Sequence, residues 1–326
     1  MKPPLPYSSV LVTGADGFVG RNLVPVLQRR LRPAARLALS TREPFAPYGQ
    51  TEPLGLDLRD PASIRAAVAE RRPDLVIHLA AQSSIGQSAE LAAESWEINA
   101  FGTFHLARAI AASAPEATMM FISSAEVYGR TFNLETATER SELRPQSVYA
   151  RSKAAAEALL ADILPPTARL IVARPSNHSG PGQDSRFVLP SFAEQIAQIE
   201  AGHSEPVLRV GNLGAERDFM DVRDVIRAYE RLLDAALNLP ERSTFNIASG
   251  RPLPIRHFLD RLLALSETPI EVAVDPSRMR PSEVPRAALD ASAIRDVTGW
   301  VPVLSVDEML DTLLQDQRSR VRSAGR

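Results

Sequence analysis

The stretch VTGADGFVG, residues 12–20, carries three glycines at three-residue spacing directly after the apolar segment SSVLVT at 8–13. Gly14 permits a tight turn, Gly17 lets the backbone approach a pyrophosphate, and Gly20 lets the next helix pack closely on the strand. The start of that helix then offers backbone amides and the positive end of its dipole to phosphate. The stretch therefore predicts a dinucleotide-binding unit, with a plain glycine turn as the alternative.

The remainder of the first half alternates short apolar segments with amphipathic ones. This pattern predicts a parallel sheet covered on both faces, and right-handed crossovers then give an α/β, doubly wound Rossmann fold. Pro61 opens one of the helices, and Pro25 is expected to kink the first. Predicted strands are 35–40, 53–57, 74–81, 118–123 and 168–173, and long helices are predicted at 94–113 and 149–162.

The composition changes near Arg174, where RPSNHSGPGQDSR (174–186) is rich in turn formers and is predicted to be a loop rather than a strand. The tail QRSRVRSAGR is predicted to be a frayed, solvated end. We expect a dinucleotide-binding domain of residues 1–173 and 218–248, and a smaller C-terminal α/β substrate domain of 174–217 and 249–326. Later helices are predicted at 187–201, 222–236, 254–266 and 305–317, and later strands at PVLRVG and TFNIAS.

The overall composition limits the classes of partner that the protein is expected to bind. The 326 residues are 44% hydrophobic and 23% charged, with a net charge of −2, so we expect no nucleic acid and no membrane partner. The absence of cysteine fits a reducing compartment. The start, MKPPLPYSS, lacks the apolar region of a signal peptide, and no apolar run reaches the ~20 residues that span a bilayer. We therefore expect a cytoplasmic protein, and the scattered histidines predict no metal site.

Tyr149 and Lys153 lie four residues apart in SVYARSKAAAE (147–157), on one face of a predicted helix. An ammonium group beside a phenol is expected to lower the pKa of the phenol. The phenol then exchanges a proton with a carbinol oxygen while a hydride moves. Ser124, at the end of a predicted strand, provides a third contact to the same oxygen. With the dinucleotide unit, these residues predict a Ser–Tyr–Lys proton relay.

The choice of cofactor depends on the end of the second strand, which reads ALSTRE. Sites for NAD usually carry Asp or Glu there, whereas this chain has Ser40, Thr41 and Arg42. A guanidinium group suits a 2′-phosphate, so the sequence favours NADP(H), with NAD(H) possible and a solvated Arg42 as the alternative. Asp57 is expected where it meets the adenine amine.

Together, the glycine motif, HLAAQSS, SSAEVYG and YARSK resemble the extended short-chain dehydrogenases/reductases (NAD-dependent epimerase/dehydratase family) nearly end to end. The resemblance implies that Ser124, Tyr149 and Lys153 are catalytic and that Lys153 also holds the nicotinamide ribose. It implies a homodimer joined by a four-helix interface of helices 94–113 and 149–162. The implied cofactor site comprises Gly14, Gly17, Phe18, Val19, Gly20, Arg42, Asp57, Leu58, Leu79, Ala80, Ala81, Tyr149, Lys153 and His178.

In the second half, RPSNHSGPGQDSRFV, VGNLGAERDFMDVRD and RMRPSEV resemble the GDP-mannose branch of that family. A diphosphate bound by a near-neutral protein needs forked arginine donors, and a carboxylate suits hydroxyls or a base N–H. Two arginines, Arg217 and Arg280, are the candidates for this role, and the alternative is that they form ordinary ion pairs with Asp218 or Glu283. The implied GDP-sugar site comprises Ser83, Ser124, Asn177, Val188, Arg217, Arg280 and Glu283.

Glu126 bears on the reaction within this branch. In the 4,6-dehydratases of this branch, a glutamate at the position of Glu126 removes the C5 proton of the sugar. The presence of Glu126 therefore leaves dehydratase activity as an alternative. Ala125, the short link REPFAPYGQTE and Gln183 in SGPGQ resemble the branch's 4-keto reductases instead. We predict NAD(P)H-dependent reduction of the C4 ketone of GDP-4-keto-6-deoxy-D-mannose, with GDP-D-rhamnose as product, and count Glu126 among the catalytic residues. The alternatives are a 4,6-dehydratase, a nucleotide-sugar 4-epimerase, and a non-catalytic sensing or scaffold protein.

Overall fold

The computed structural model describes residues 2–41, 51–279 and 284–324. Strand bounds follow the predicted apolar segments closely in the first half. In these residues the strands are β1 Ser9–Thr13, β2 Arg36–Thr41, β3 Glu52–Gly55, β4 Leu75–His78, β5 Thr118–Ile122, β6 Arg169–Pro175, β7 Asn177–Ser179, β8 Val207–Val210, β9 Glu216–Arg217, β10 Phe219–Asp221, β11 Arg242–Ile247, β12 Leu253–Pro254 and β13 Glu271–Val274.

Several helices begin where the sequence provides a cap. The Asp60 carboxylate accepts from the amides of Ala62 and Ser63, directly before the predicted Pro61 start. The helices are α1 Phe18–Arg30, α2 Pro61–Arg71, α3 Ile85–Glu90, α4 Ala92–Trp96, α5 Gly102–Ser113, α6 Val148–Ile163, α7 Val188–Glu200, α8 Val222–Ala235, α9 Ile255–Ala264, α10 Ser292–Thr298 and α11 Val306–Ala324. Within the described ranges, no helix combines the length and the apolar character needed to cross a bilayer.

The central sheet has seven parallel strands in the order β11-β6-β5-β4-β1-β2-β3. The strand order reverses between β1 and β4, and in doubly wound sheets ligands bind outside the carboxyl ends of the strands at that point. The strands β1, β4 and β5 are almost wholly buried, as expected for a sheet with helices on both faces. The predicted α/β Rossmann architecture is confirmed.

The apolar residues pack into separate clusters. One lies between the sheet and helices α1 and α8, and another between the sheet and helices α2, α5 and α6. A further cluster joins α7, α9 and α11 through side chains such as Phe192, Phe258 and Leu313, away from the sheet. This third cluster consists of residues from the second half of the chain. The predicted bounds of the two domains stay a prediction.

Three local expectations are wrong. The segment after Arg174 is not simply a loop, because β6 extends to Pro175 and residues 177–179 form β7, which pairs with β10. The predicted helix 94–113 is interrupted by a π turn at Glu97–Phe101, between α4 and α5. The C-terminal tail is helical to Ala324 because Val321 is buried and Arg318 forms a two-bond ion pair with Glu200 on α7.

Candidate active site

The glycine loop lies between β1 and α1, at the reversal of strand order. Gly14 has a φ of 70°, and a Cβ there would lie 2.7 Å from the Ala80 backbone nitrogen. A Cβ on Gly20 would overlap the Gly14 carbonyl oxygen. Both positions therefore require glycine, one for backbone conformation and both for close approach.

The first turn of α1 is suited to an anion. Gly17 precedes the helix without a side-chain cap, and the turn that contains Phe18 and Val19 has no acidic residue. Backbone amides at such a helix start lack intrahelical partners and attract phosphate. The His178 ring stacks on Phe18 with 6.1 Å between ring centroids, so strand β7 lies against the start of α1.

The loop after β4 forms the neighbouring wall. The Leu79 amide donates to the Thr13 carbonyl at 3.2 Å, and the Ala80 amide lies 3.3 Å from the Thr13 hydroxyl. His78 is fully enclosed between Thr13 and Thr103, and burial lowers its pKa to about 3. His78 is therefore neutral and holds the loop in place, with Leu79, Ala80 and Ala81 half-buried beside the glycines.

The residues expected around adenosine are only partly described. Strand β3 ends at Gly55 rather than at Asp57, and the Asp57 carboxylate pairs with Arg59 at 2.7 Å. Leu58 is buried next to Gly102. Arg42, the residue predicted to select NADP(H), lies outside the described residues.

The proton relay assembles between α6 and the end of β5. The Lys153 ammonium donates to the Ile122 carbonyl at 2.6 Å and lies 4.6 Å from the centroid of the Phe121 ring. Tyr149 lies close enough to the Ser124 side chain for Ser124 to lower the pKa of its phenol. The structure therefore brings the three predicted relay residues together, with Tyr149 and Lys153 both buried.

The pKa values of the relay differ from the sequence expectation in one respect. Burial raises the pKa of Tyr149 to about 12, partly offset by the Ser124 hydrogen bond. Burial lowers the pKa of Lys153 to about 7, against the opposing effect of the Glu157 carboxylate. The expected lowering of the phenol pKa by Lys153 is therefore wrong for this structure, because desolvation dominates and the ammonium is bonded to a carbonyl. Tyr149 is a neutral phenol at neutral pH, the form that donates a proton.

Glu126 and Arg217 approach each other across the site. Burial raises the pKa of Glu126 while Arg217 lowers it, and burial lowers the pKa of Arg217 while Glu126 raises it. Asp218, the alternative partner of Arg217, accepts from the Ser249 hydroxyl at 2.6 Å and the Gly250 amide at 2.8 Å. Arg217 thus faces a carboxylate that belongs to the same cleft as the relay.

Three of the other predicted sugar-nucleotide residues lie in separate elements of the described chain. Asn177 lies in β7, opposite Phe219 of β10. Val188 begins α7 and is 37% exposed, and Ser83 is exposed in the loop after β4. Arg280 and Glu283 lie outside the described residues.

Sequence reasoning missed Asn99, on the π turn. Its carboxamide accepts from the Gln82 amide at 2.8 Å and donates to the Ser152 hydroxyl at 3.0 Å, and that hydroxyl donates to the Tyr149 carbonyl. The contacts connect the loop after β4 to the helix that carries the relay. No signal in the sequence distinguishes Asn99, because a π turn depends on tertiary contacts; such turns are frequent at functional sites.

Comparison with known proteins gives concordant matches. The family model described as GDP-mannose 4,6 dehydratase matches residues 11–313. The chain is 35% identical over 315 residues to a GDP-6-deoxy-D-mannose reductase of Pseudomonas aeruginosa, covering 96% of this chain and 98% of the relative. It is 27% identical to a GDP-6-deoxy-D-talose 4-dehydrogenase of Aggregatibacter actinomycetemcomitans, covering 89% and 91%.

Solved structures agree with these relatives. The structure of RMD from Pseudomonas aeruginosa complexed with NADPH superposes with a TM-score of 0.80 at 34% identity, covering 96% of this chain and 100% of that one. A Thermus thermophilus UDP-glucose 4-epimerase in complex with NAD superposes with a TM-score of 0.80 at 28% identity, covering 95% and 98%. The chain belongs to the GDP-mannose 4,6 dehydratase family, within the extended short-chain dehydrogenases/reductases.

Proposed function

We propose that this protein reduces the C4 ketone of GDP-4-keto-6-deoxy-D-mannose to a GDP-6-deoxyhexose, GDP-D-rhamnose. The observation that carries the proposal is a buried Tyr149 close to Ser124, at the same edge of the sheet as the glycine cradle. The 35% identity to a GDP-6-deoxy-D-mannose reductase, over nearly the whole of both chains, supports the same reaction.

The cradle fits a dinucleotide. Gly14 and Gly20 let the loop after β1 pack at backbone distance against its neighbours, and the uncapped start of α1 offers amides to a pyrophosphate. NADP(H) is favoured by Arg42 in the sequence and by the NADPH bound to the related RMD structure, and NAD(H) stays the alternative. When bound, the reduced nicotinamide supplies the hydride for C4.

The chain's own residues manage the proton. The Tyr149 phenol donates its proton to the oxygen that gains negative charge, and the Ser124 hydroxyl donates a hydrogen bond to that oxygen. In its protonated form Lys153 supplies positive charge close to both groups and, in this proposal, it turns toward the nicotinamide ribose when cofactor is bound. Each of these side chains has to be oriented before the reaction. The contacts between α6 and the end of β5 provide that orientation.

Arg217 is proposed to bind the diphosphate and Glu126 to hold substrate hydroxyls. The mutual effect of the two on their pKa values supports a carboxylate close to the proposed anion site. When the diphosphate pairs with Arg217, it replaces Glu126 as the partner of that arginine. The Glu126 carboxylate can then accept hydrogen bonds from sugar hydroxyls. The remaining proposed contacts are Ser83, Asn177, Val188, Arg280 and Glu283 for the substrate and His178 for the cofactor.

One observation favours a second candidate. A carboxylate at Glu126, with a pKa raised by burial, also suits the C5 proton abstraction of a 4,6-dehydratase. The two functions differ in redox balance, because a dehydratase recycles its cofactor within each turnover. Purified protein should be incubated with GDP-mannose, and separately with the 4-keto sugar plus NADPH. We expect stoichiometric NADPH oxidation with the 4-keto sugar alone; conversion of GDP-mannose without NADPH consumption would favour the dehydratase.

The homodimer and the cytoplasmic location stay predictions. Phe101, on the π turn within the predicted interface helices, is 48% exposed, as expected for a residue that a partner covers. Sedimentation velocity should give twice the monomer mass, and Phe101→Glu should give monomers.

A further inference from the structure

Helix α6 contacts the end of β5 at three successive positions. Tyr149, Lys153 and Glu157 are spaced by four residues and therefore share one face of the helix. Each meets a different member of the segment 122–124: Lys153 donates to the Ile122 carbonyl, Glu157 accepts from the Ser123 hydroxyl, and Tyr149 lies close enough to Ser124 for that side chain to lower its pKa. Tyr149, Lys153 and Ser124 are already assigned to the relay, whereas Glu157 has no assigned role.

Glu157 is bonded from two sides. Besides Ser123, its carboxylate accepts from Arg174 Nε at 3.0 Å and Arg174 Nη2 at 2.5 Å. The two side chains are only 9% and 8% exposed. Glu157 therefore takes part in a buried, two-bond ion pair between α6 and β6, beside the end of β5, two residues before Ser124.

The arginine extends the connection. Arg174 Nη1 contacts the Tyr128 hydroxyl at 2.9 Å, and the guanidinium lies 5.1 Å from the centroid of the Tyr128 ring. The Tyr128 hydroxyl donates to Asn246 Oδ1 at 2.7 Å, and Asn246 Nδ2 donates to the Asp290 carbonyl at 3.0 Å. These bonds connect the end of β5 to the predicted substrate half of the chain.

Stability alone does not account for such a pair. Removing two charges from water costs several kcal/mol per ion, and apolar residues of similar volume often stabilise a protein as well or better. A bidentate arginine–carboxylate pair does provide a fixed geometry. The Glu157–Arg174 pair supplies that geometry at the strand end, where Ser124 has to meet the Tyr149 hydroxyl.

We infer that Glu157 is a positioning residue of the proton relay, which with Arg174 fixes the end of β5 against α6 and so sets Ser124 opposite Tyr149. The inference rests on the proposed function only in assigning a reaction to the relay; the contacts themselves do not depend on the substrate.

The test compares three variants with the wild type. Ser123→Ala removes only the hydroxyl between the strand and the carboxylate and leaves the ion pair intact. Glu157→Gln removes the charge and weakens both sets of bonds. Glu200→Gln is the matched control, because Glu200 forms a similar two-bond pair with Arg318, at 2.7 Å for each bond, between α7 and α11.

We expect kcat to fall ~10- to 100-fold in Ser123→Ala and Glu157→Gln, since a displacement of about 1 Å costs on the order of 10²-fold. KM for NADPH should stay within about threefold of wild type, and Glu200→Gln should keep wild-type kcat. A kcat within twofold of wild type in Ser123→Ala would overturn the inference, even if Glu157→Gln failed to fold. Equal losses in kcat and NADPH binding would also overturn it, as they indicate general disruption.

A second measurement needs no substrate. Hydrogen exchange followed by mass spectrometry should show faster exchange at residues 122–127 in Ser123→Ala and Glu157→Gln, with no such change in Glu200→Gln. Unchanged exchange in both variants would contradict the positioning role. If the wild type failed to reduce the 4-keto sugar, the proposed function would fail, while the exchange result would still decide the inference.

Discussion

The buried Lys153 should make the stability of this protein rise with pH in a defined window. Its pKa is lowered from 10.5 to about 7 by burial. Between these values the unfolded chain carries a proton that the folded chain lacks, so stability increases as pH rises. One proton corresponds to a slope of at most about 1.4 kcal/mol per pH unit, or ~4 kcal/mol between pH 7 and pH 10.

Few other groups of this chain change protonation in the pH range in which Lys153 affects stability. The chain has two lysines, Lys2 and Lys153, and no cysteine. Burial raises the pKa of Tyr7, Tyr128, Tyr149 and Tyr229 above 10, so these groups lower stability only as pH approaches 10, where tyrosines of the unfolded chain begin to ionise. In the described residues, the shifted histidine pKa values are all lowered and act below pH 6.5.

Urea unfolding of the wild type and of Lys153→Met, measured at pH 7, 8, 9 and 10 in constant salt, tests this. The wild type should gain stability over the range, and the variant should lose most of that gain. Lysine labelled with ¹³C at Cε gives two side-chain signals, and we expect one to titrate near 7 and that of Lys2 near its ordinary value. A Lys153 signal that titrates above 10, with parallel pH profiles for the two proteins, would refute the reasoning.

Three further substitutions test the site. Tyr149→Phe should lower kcat by ~10²–10⁴-fold with NADPH affinity retained, because only the proton donor is lost; normal steady-state turnover would rule out the relay. Gly20→Ala should abolish NADPH binding in fluorescence titrations and destabilise the chain, since its Cβ overlaps the Gly14 carbonyl, whereas Gly55→Ala, with no heavy atom within 4 Å, serves as the tolerated control. Glu126→Gln should slow ketone reduction only several-fold, and complete loss of NADPH oxidation would restore Glu126 as a general base.

Periodicity and the glycine motif predicted most of the sheet because those signals are local. Short apolar segments such as LVIH (75–78) form strands that are buried on both faces, and Gly14 and Gly20 are required by contacts within their own βαβ unit. The relay was also predictable, since Tyr149 and Lys153 are one helical turn apart and Ser124 follows directly after a predicted strand.

The missed features depend on partners distant in sequence. Strand β7 has three residues and exists through pairing with β10, about forty residues later. Asn99 acts through a π turn, and the tail is ordered by Val321 and by the Arg318–Glu200 pair. The direction of the Tyr149 pKa shift depended on burial, which residue spacing does not report. Among these features, only Glu157 could have been recognised in the sequence, because it follows Tyr149 and Lys153 at the same four-residue spacing.

The transfer of hydride from NADPH to C4 of the sugar is the central claim, and isotope labelling tests it most directly. Purified protein should be incubated with GDP-4-keto-6-deoxy-D-mannose and NADPH deuterated at both C4 positions of the nicotinamide, and the product examined by NMR. We expect one deuterium per product molecule at C4 of the sugar, with equimolar NADPH oxidation. A product without deuterium at C4, or turnover of GDP-mannose with no label incorporated, would contradict it.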